Sequence, residues 1–419
     1  MTLLAECVAA GLVGLPMSAA IAATPLFSDA PLVLRSPTFD ATYTALVDKP
    51  SSHAIQIVQA DSRLVDESAE SIALNFDFDG RIDLTAVRTH AYRMEDGSLV
   101  WQGVIAESSA KRDTTDPREI ADDPMNSVTL VRNGDRITGN VRVFGQLYAI
   151  RPLHDSRTAL VEVNEAAMPP DHPEASYKRL FDAAVARGIE EKSIAPDAVM
   201  ANTVIRVMVN YTQKVASLVG DINGLINLAV AETNTGYTNS GVTITMQLAT
   251  KSQVTYTETG NFDTDLARYR GTSDGYMDSI HTLRNSSTAD VGVLLVNNTA
   301  YCGLASAIGA SASTAFVEVY WDCATGYYSF AHEIGHLQSA RHDPANDPTN
   351  TPYAYGHGYQ YSAGGWRTIM AYDCSSGCTR LNFWSNPGKT YNGHAMGTTS
   401  KNDNHRVLNN TRATIAAFR

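Results

Sequence analysis

The sequence of 419 residues has little charge, few cysteines and no apolar run of the roughly 18–20 residues that a membrane-spanning helix needs. Charged residues make up 18% of the chain, and the net charge at pH 7 is −12. Because the phosphates of nucleic acids are bound by basic surfaces, this acidic balance argues against a nucleic-acid partner, and we expect no membrane partner either. No repeat or low-complexity segment is present, and an apolar content of 44% is typical of a globular protein.

The acidic residues are concentrated in the first half of the chain. Residues 23–197 have a net charge of −10, whereas residues 198–419 have a net charge of −1. A chain of this length is able to form two domains, each with its own core. We therefore place a domain boundary near residue 197, after a linker near 166–197 that includes the proline-rich stretch 168–173.

The N-terminus has the pattern of a signal peptide. An apolar stretch from Val8 to Ala20 leads to Ala20-Ile21-Ala22, a cleavage signal of small residues, so we predict removal of residues 1–22 and export to the periplasm or the medium. No Lys or Arg precedes the apolar stretch, and Glu6 stands there instead. A buried N-terminal helix therefore stays open as the alternative.

The cysteine pattern agrees with export. No cysteine lies between residues 23 and 301, and Cys7 would leave with the signal. The four that remain are an even number, Cys302, Cys323, Cys374 and Cys378. We predict the pairs Cys302–Cys323 and Cys374–Cys378, because each closes a local loop. A tetracysteine zinc site is the alternative, but the spacings lack a pair of CxxC motifs.

The two halves also differ in their hydrophobic patterns. Residues 30–165 are predicted to be β-rich, with alternating segments at 72–78 and 136–150 between Asp-Gly and Asn-Gly turns. A short helix is predicted at 176–187. In the second half, strands are predicted at 204–209, 241–248, 291–296, 304–310 and 316–321, with helical spacing of apolar residues from Val215 to Ala229. This alternation indicates an α/β domain with a mixed, mostly parallel sheet.

The most informative residues are His332-Glu333-Ile334-Gly335-His336. On a helix, residues four apart lie on the same face, so both imidazoles are able to bind one ion. His342 follows six residues later, and three imidazoles leave one position of a zinc ion open, as in catalytic sites. Glu333 is placed to act as the general base on a zinc-bound water. Surface or core histidines without a metal are the alternative interpretation.

With Thr368-Ile369-Met370-Ala371-Tyr372 downstream, these motifs resemble the metzincins, zinc endopeptidases with HExxHxxGxxH and a methionine turn. The residues of both motifs are similar to those of the peptidyl-Asp metalloendopeptidases. The resemblance implies that residues 198–419 form a metzincin-like catalytic domain and that residues 23–197 are an inhibitory prosegment. It further implies one catalytic Zn²⁺, with His332, His336 and His342 as ligands and Glu333 as base.

The resemblance also assigns roles around the metal. Met370 would form an apolar floor beneath it, Tyr372 would approach the zinc or the oxyanion, and Leu304 would lie in the edge strand that pairs with substrate. A preference for Asp requires a basic pocket, for which Arg380 is the first choice and Arg367 the second. Ordinary core or surface roles for the tyrosine and for Arg380 stay open.

One position departs from the metzincin motif, because Ser339 stands where the family has glycine. Glycine adopts positive φ without steric cost, so the serine should cost on the order of 1 kcal/mol. We also consider Asp343 and Asp347 as calcium ligands, although a solvated loop is the favoured interpretation.

Latency needs an explanation, because the prosegment contains no cysteine to cap the metal. Asp171 and His172 are candidates, since their proline-bracketed segment resembles an extended peptide in a cleft; an exposed linker is the alternative. Two other functions stay open: a broad-specificity metzincin, and a zinc-stabilised binding protein that would not need Glu333.

Overall fold

The computed structural model describes residues 24–30, 40–106, 116–186 and 201–419. The predicted signal peptide and the predicted domain boundary near residue 197 lie outside these ranges. Within them, none of the helices has both the length and the apolarity required to cross a bilayer.

The first half contains a nine-stranded sheet in which all neighbouring strands are antiparallel, in the order β1-β2-β9-β8-β7-β6-β5-β4-β3. Its strands are β1 Phe27–Asp29, β2 Ser52–Ala60, β3 Ser71–Asp77, β4 Arg81–Arg93, β5 Leu99–Ile105, β6 Ser127–Asn133, β7 Arg136–Val143, β8 Gln146–Pro152 and β9 Thr158–Val163. Its helices are α1 Ala41–Val47 and α2 Glu174–Ala186, with short 3-10 helices at Ser62–Leu64 and Glu165–Ala167.

This sheet curls until its two edges meet. Pro25, beside β1, bridges to Ala73 in β3, and the amide of Leu26 donates to the Ala73 carbonyl at 2.8 Å. Closure protects strand edges that would otherwise be free to pair with other chains. Strands around the sheet contribute to one apolar core, which includes Phe27, Phe76, Trp101, Leu130 and Ile150.

The second half is built on a five-stranded sheet in the order β11-β10-β12-β14-β13, parallel except for the edge strand β13. Its strands are β10 Thr203–Thr212, β11 Ile244–Val254, β12 Val291–Val296, β13 Gly303–Ala305 and β14 Phe316–Tyr320. Smaller sheets follow, formed by β15 Gln360–Tyr361, β16 Trp366–Arg367, β17 Thr379–Arg380, β18 Asn386–Tyr391 and β19 His394–Met396. The helices are α3 Gln213–Leu218, α4 Ile222–Ser240, α5 Phe262–Arg270, α6 Ser279–Ser286, α7 Ser329–Leu337 and α8 Asn404–Ile415, with a 3-10 helix at Ser362–Gly364. The mixed α/β content predicted for this half is confirmed.

Two predicted elements are divided in the structure. The segment 136–150 is a hairpin, because Phe144 and Gly145 adopt φ of 49° and 89° and turn β7 into β8. The helical spacing from Val215 to Ala229 belongs to two helices. They separate at Gly220, where an added Cβ would lie 2.2 Å from the carbonyl oxygen of Pro152 in the first half.

The predicted edge strand 304–310 is shorter than expected. Strand β13 ends at Ala305, and Gly309 then turns with φ of 68°. The amides of Gly309 and Ala310 donate to the carbonyls of His336 and Leu337 at 2.9 and 2.8 Å. The segment is therefore used to satisfy the C-terminal carbonyls of α7, which have no partner within the helix.

The two halves share a core. Helix α4 packs against β11 and also against β6 and β7. Polar contacts join the same surfaces: Asn140 donates to Glu232 at 2.6 Å, and Arg151 donates to the Thr325 hydroxyl at 3.0 Å. In the described residues, the first half is thus docked on the second.

Candidate metal centre and active site

Helix α7 presents His332 and His336 on one face, one turn apart. Its other side chains Phe330, Ile334 and Leu337 are buried, which anchors the helix in the core. Gly335 allows close packing, because an added Cβ there would lie 2.7 Å from the Trp384 ring. The histidine positions are therefore set by packing on the opposite side of the helix.

The turn after α7 brings the third histidine back to the first two. Ser339 has a φ of 75°, in the left-handed region that favours glycine, as expected from the family motif. The amide of Ala340 donates to the Gly335 carbonyl at 2.9 Å and closes the turn. His342 follows, with its Nε2 at 3.1 Å from Nε2 of His336 and 3.3 Å from Nε2 of His332.

Hydrogen bonds to the backbone orient two of these rings. Nδ1 of His332 lies 3.0 Å from the Ile369 carbonyl oxygen, and Nδ1 of His336 lies 2.9 Å from that of Ala340. A carbonyl only accepts, so each Nδ1 carries the proton and each Nε2 directs a lone pair into the cluster. This is the arrangement of metal-binding imidazoles.

A fourth histidine completes the cluster. His172 comes from the segment between the two halves, and its Nε2 lies 2.8 Å from Nε2 of His342. The four side chains are buried, and their ligand nitrogens lie within 4.8 Å of one another. Burial lowers the pKa of His332 to about 3 and that of His172 to about 4, which keeps both imidazoles neutral. Four converging neutral nitrogens fit a Zn²⁺ ion.

Glu333 lies beside the cluster with an exposed fraction of 1%, and neither carboxylate oxygen has a hydrogen bond of ordinary geometry. Burial is the main cause that raises its pKa well above the usual value, with the nearby Asp171 charge adding to it. Gly303 covers this carboxylate so closely that an added Cβ would lie 2.7 Å from Oε1. A buried carboxylate with free lone pairs is suited to accept a proton.

The residues of the predicted methionine turn also reach the cluster. Met370 is fully buried, with its sulfur close to Gly335 of α7. The Tyr372 hydroxyl lies 3.1 Å from Nε2 of His172, and the tyrosine ring centroid is 4.4 Å from that of His342. Tyr372 is therefore next to the candidate metal position rather than in a remote core.

The two arginines proposed for a carboxylate pocket differ in what they contact. Arg367 directs its donors to the Cys378 and Ala371 carbonyls and the Tyr327 hydroxyl. Its Nε also lies 3.6 Å from the exposed carboxylate of Asp373. Arg380, with an exposed fraction of 0%, donates from Nη2 to the Asp171 carboxylate at 2.6 Å. Arg380 is thus the arginine that faces a carboxylate beside the histidine cluster.

The structure contains both predicted disulfides, Cys302–Cys323 and Cys374–Cys378. The first ties the chain just before β13 to the residues after β14. The second closes a short loop between Tyr372 and Arg380, where Asp373 accepts from the amides of Cys374 and Cys378 at 2.8 and 2.7 Å.

The prediction of a solvated loop at Asp343 and Asp347 is wrong, because both carboxylates are buried and bonded within the protein. Asp343 accepts from the Tyr372 amide at 3.0 Å, and Asp347 forms an ion pair with Arg341 at 2.6 Å. Through these contacts, the two carboxylates hold the loop that follows His342. Among the described residues, the group able to hold a metal ion is the set of four histidines.

Tyr177 in α2 is a site residue that sequence reasoning missed. Its ring centroid lies 4.2 Å from that of His342, and its hydroxyl donates to Asp347 at 2.5 Å. The one available signal was its position five residues after His172, because no motif includes it.

Comparison with known proteins agrees with this site. A family model described as metallo-peptidase family M12 matches residues 201–385. Proteins named peptidyl-Asp metalloendopeptidase from Stenotrophomonas maltophilia (strain R551-3) and Xanthomonas campestris pv. campestris are 52% and 50% identical to the chain, over 98% and 99% of both sequences respectively. A protein of the same name from Pseudomonas fragi is 53% identical over 189 residues, which are 45% of this chain and 100% of that protein. Metalloproteinase-II from Bacteroides fragilis overlaps at a TM-score of 0.40 and 11% identity, over 65% of this chain and 82% of that one, a likeness too remote to bear on function.

The buried histidines, the glutamate beside them and the family match together define a zinc-dependent metalloendopeptidase. At about half-identical sequence over nearly its whole length, the chain belongs to the family of the peptidyl-Asp metalloendopeptidases.

Proposed function

We propose that this protein is the secreted precursor of a zinc endopeptidase that hydrolyses the bond on the amino side of Asp and, more slowly, of Glu. The observation that carries the specificity is the buried guanidinium of Arg380, which holds a carboxylate beside the histidine cluster. The name of the relatives supports the same preference.

The catalytic steps follow from the positions of the side chains. His332, His336 and His342 would hold the zinc ion, which would supply a Lewis acid and lower the pKa of the attacking water. Glu333 accepts the proton of the attacking water and passes it to the leaving amine. Burial raises the pKa of Glu333, which helps the carboxyl to hold the proton between these two transfers. The Tyr372 hydroxyl, which faces the cluster, donates to the developing oxyanion.

Specificity follows from the cost of leaving Arg380 without a partner. Its ring contact with Tyr327, at 4.3 Å from the guanidinium carbon, and its bond to the Tyr327 carbonyl at 3.1 Å hold the side chain in place. A substrate carboxylate would satisfy the remaining donors, whereas a neutral side chain would leave a buried charge unpaired. Leu304 in β13 would lie along the substrate backbone.

We further assign residues 1–22 to the signal peptide, residues 23–197 to an inhibitory prosegment and residues 198–419 to the catalytic domain. The docking of the first half on α4, and the position of residues 169–173 across the histidine cluster, support inhibition by the prosegment. Cleavage at Pro196-Asp197 would agree with the proposed specificity, and sequencing of the mature N-terminus tests it.

The function is tested with peptides that differ in one residue, Asp, Glu, Asn or Ala. The full-length chain is first processed by trypsin, which has Arg187 and Lys192 available before residue 197, and the trypsin is then inhibited. We expect cleavage before Asp to exceed cleavage before Glu, and both to exceed Asn and Ala by roughly 30-fold or more. Equal rates for Asp and Asn would contradict the proposal.

A further inference from the structure

The segment Pro169–Pro173 lies in the active site although it contains no helix or strand. Asp171 and His172 have exposed fractions of 8% and 5%. The amides of Cys302 and Gly303, at the start of β13, donate to the Pro170 and Asp171 carbonyls, both at 2.8 Å. The segment is therefore bound to the start of β13, the edge strand of the five-stranded sheet.

The side chains of this segment contact two separate parts of the site. His172 directs Nε2 into the histidine cluster, and its ring stacks on Tyr177 at a centroid distance of 4.6 Å. Asp171 directs Oδ2 to Arg380 at 2.6 Å, and both side chains of this ion pair are buried. A buried charge pair is stable only while both partners are present, so each depends on the other.

The carbonyl that would be attacked already accepts a hydrogen bond from the protein. If Asp171 occupies the pocket of a substrate aspartate, the scissile bond would be Pro170–Asp171. The oxygen of that bond is engaged by the Cys302 amide, and the nitrogen beside the histidines belongs to His172. Proline on both sides of the Asp-His pair restricts the backbone and removes amide donors.

We propose that Asp171-His172 is an uncleaved internal mimic of the substrate, in which Asp171 fills the Arg380 pocket and His172 is the fourth nitrogen ligand of the metal. The part concerning Asp171 rests on the proposed preference for aspartate. The prosegment thereby inhibits through the same arginine that selects the substrate.

The assignment of His172 as the fourth metal ligand is tested on the full-length chain carrying Glu333→Gln, reconstituted with Co²⁺ as the probe. We expect the visible spectrum of a four-nitrogen site that changes only at high concentrations of acetohydroxamate. His172→Ala should shift the spectrum, admit acetohydroxamate and speed metal removal by a chelator at least 10-fold; His172→Asn, closer in size, is measured in parallel. His154→Ala is the matched control, since His154 is an exposed prosegment histidine that forms an Asp pair of its own.

The role of Asp171 in the Arg380 pocket is tested in the same background with Asp171→Asn, which keeps the side-chain size. We expect acetohydroxamate to bind roughly 10- to 100-fold more tightly, because the segment loses its charged hydrogen bond to Arg380. Asp155→Asn, at an exposed aspartate paired with Arg157, should change nothing.

The outcomes separate this proposal from the proposed function. An unchanged cobalt spectrum in folded His172→Ala or His172→Asn would overturn the assignment of the fourth ligand. If Asp171→Asn leaves acetohydroxamate binding unchanged while the processed wild-type enzyme prefers Asp in peptides, the substrate mimicry is overturned and the proposed function is not. Loss of the peptide preference itself would instead contradict the proposed function.

Discussion

The two halves of this protein differ in where their polar side chains are used. In the first half, buried polar groups such as Asn140, Arg142 and Arg151 face the second half and bind its backbone and side chains. In the second half, the buried polar groups also include the three histidines and Glu333 of the active site. The first half is thus docked on the second, and its residues Asp171, His172 and Tyr177 reach the active site. We therefore expect mutations at the interface between the halves to change stability separately from catalysis.

The largest effect is expected from removing a metal ligand. His336→Ala should lower zinc affinity by more than about 100-fold. Mutating a residue that only hydrogen-bonds to a metal ligand already lowers metal affinity by about 10- to 100-fold, and loss of the ligand itself should have a larger effect. Metal content after dialysis, measured beside His154→Ala, checks this. Full zinc retention would break the assignment of the catalytic centre to the second half.

Specificity should change next most strongly. Arg380→Ala should lower cleavage before Asp by roughly 30- to 1000-fold, because a charged hydrogen bond to substrate contributes about 2–4 kcal/mol. Cleavage before neutral residues should change much less, and Arg380→Lys should restore little, since lysine lacks the paired donors. Peptide kcat/KM values measure both effects, and an unchanged Asp preference would move the pocket to another residue, with Arg367 tested next.

A third variant tests the docking surface without touching the metal. Arg142 forms an ion pair with Glu165 at 2.7 Å and donates across the interface to the Gly326 carbonyl at 2.7 Å. Arg142→Met should lower the free energy of unfolding of the Glu333→Gln full-length chain by about 3 kcal/mol, because it leaves Glu165 without its buried partner. Arg81→Met, at an exposed ion pair, is the control and should leave denaturation unchanged. Equal midpoints for both variants would show that docking does not depend on Arg142.

The smallest effect is expected at the turn after α7. Ser339→Gly should stabilise the protein by about 1 kcal/mol, because serine is strained at a φ of 75°. Thermal unfolding measures the change, and Ser339→Ala serves as the comparison that keeps the strain. A glycine variant no more stable than the alanine variant would show that the surrounding packing removes the strain.

The metal site was predictable from the local spacing of its residues. Contacts between segments distant in sequence were not predictable. His332, Glu333 and His336 occupy one helical turn, so their proximity follows from helix geometry. The arrival of His172, which lies 170 residues before His342, depends on how the two halves dock. The need for glycine at position 220 has the same cause, because any Cβ there would collide with the Pro152 carbonyl. Burial of Asp343 and Asp347 also depends on tertiary partners that no local pattern indicates.

In the proposed mechanism, Glu333 performs the proton transfers at a zinc site built by the second half. It is tested most directly by Glu333→Gln, processed by trypsin in parallel with the wild type and loaded with zinc to equal content. We expect unchanged zinc binding and a fall in kcat/KM on an Asp peptide by about 10²- to 10⁴-fold, the range of general acid–base catalysis. Activity near the wild-type level in that zinc-replete sample would contradict it.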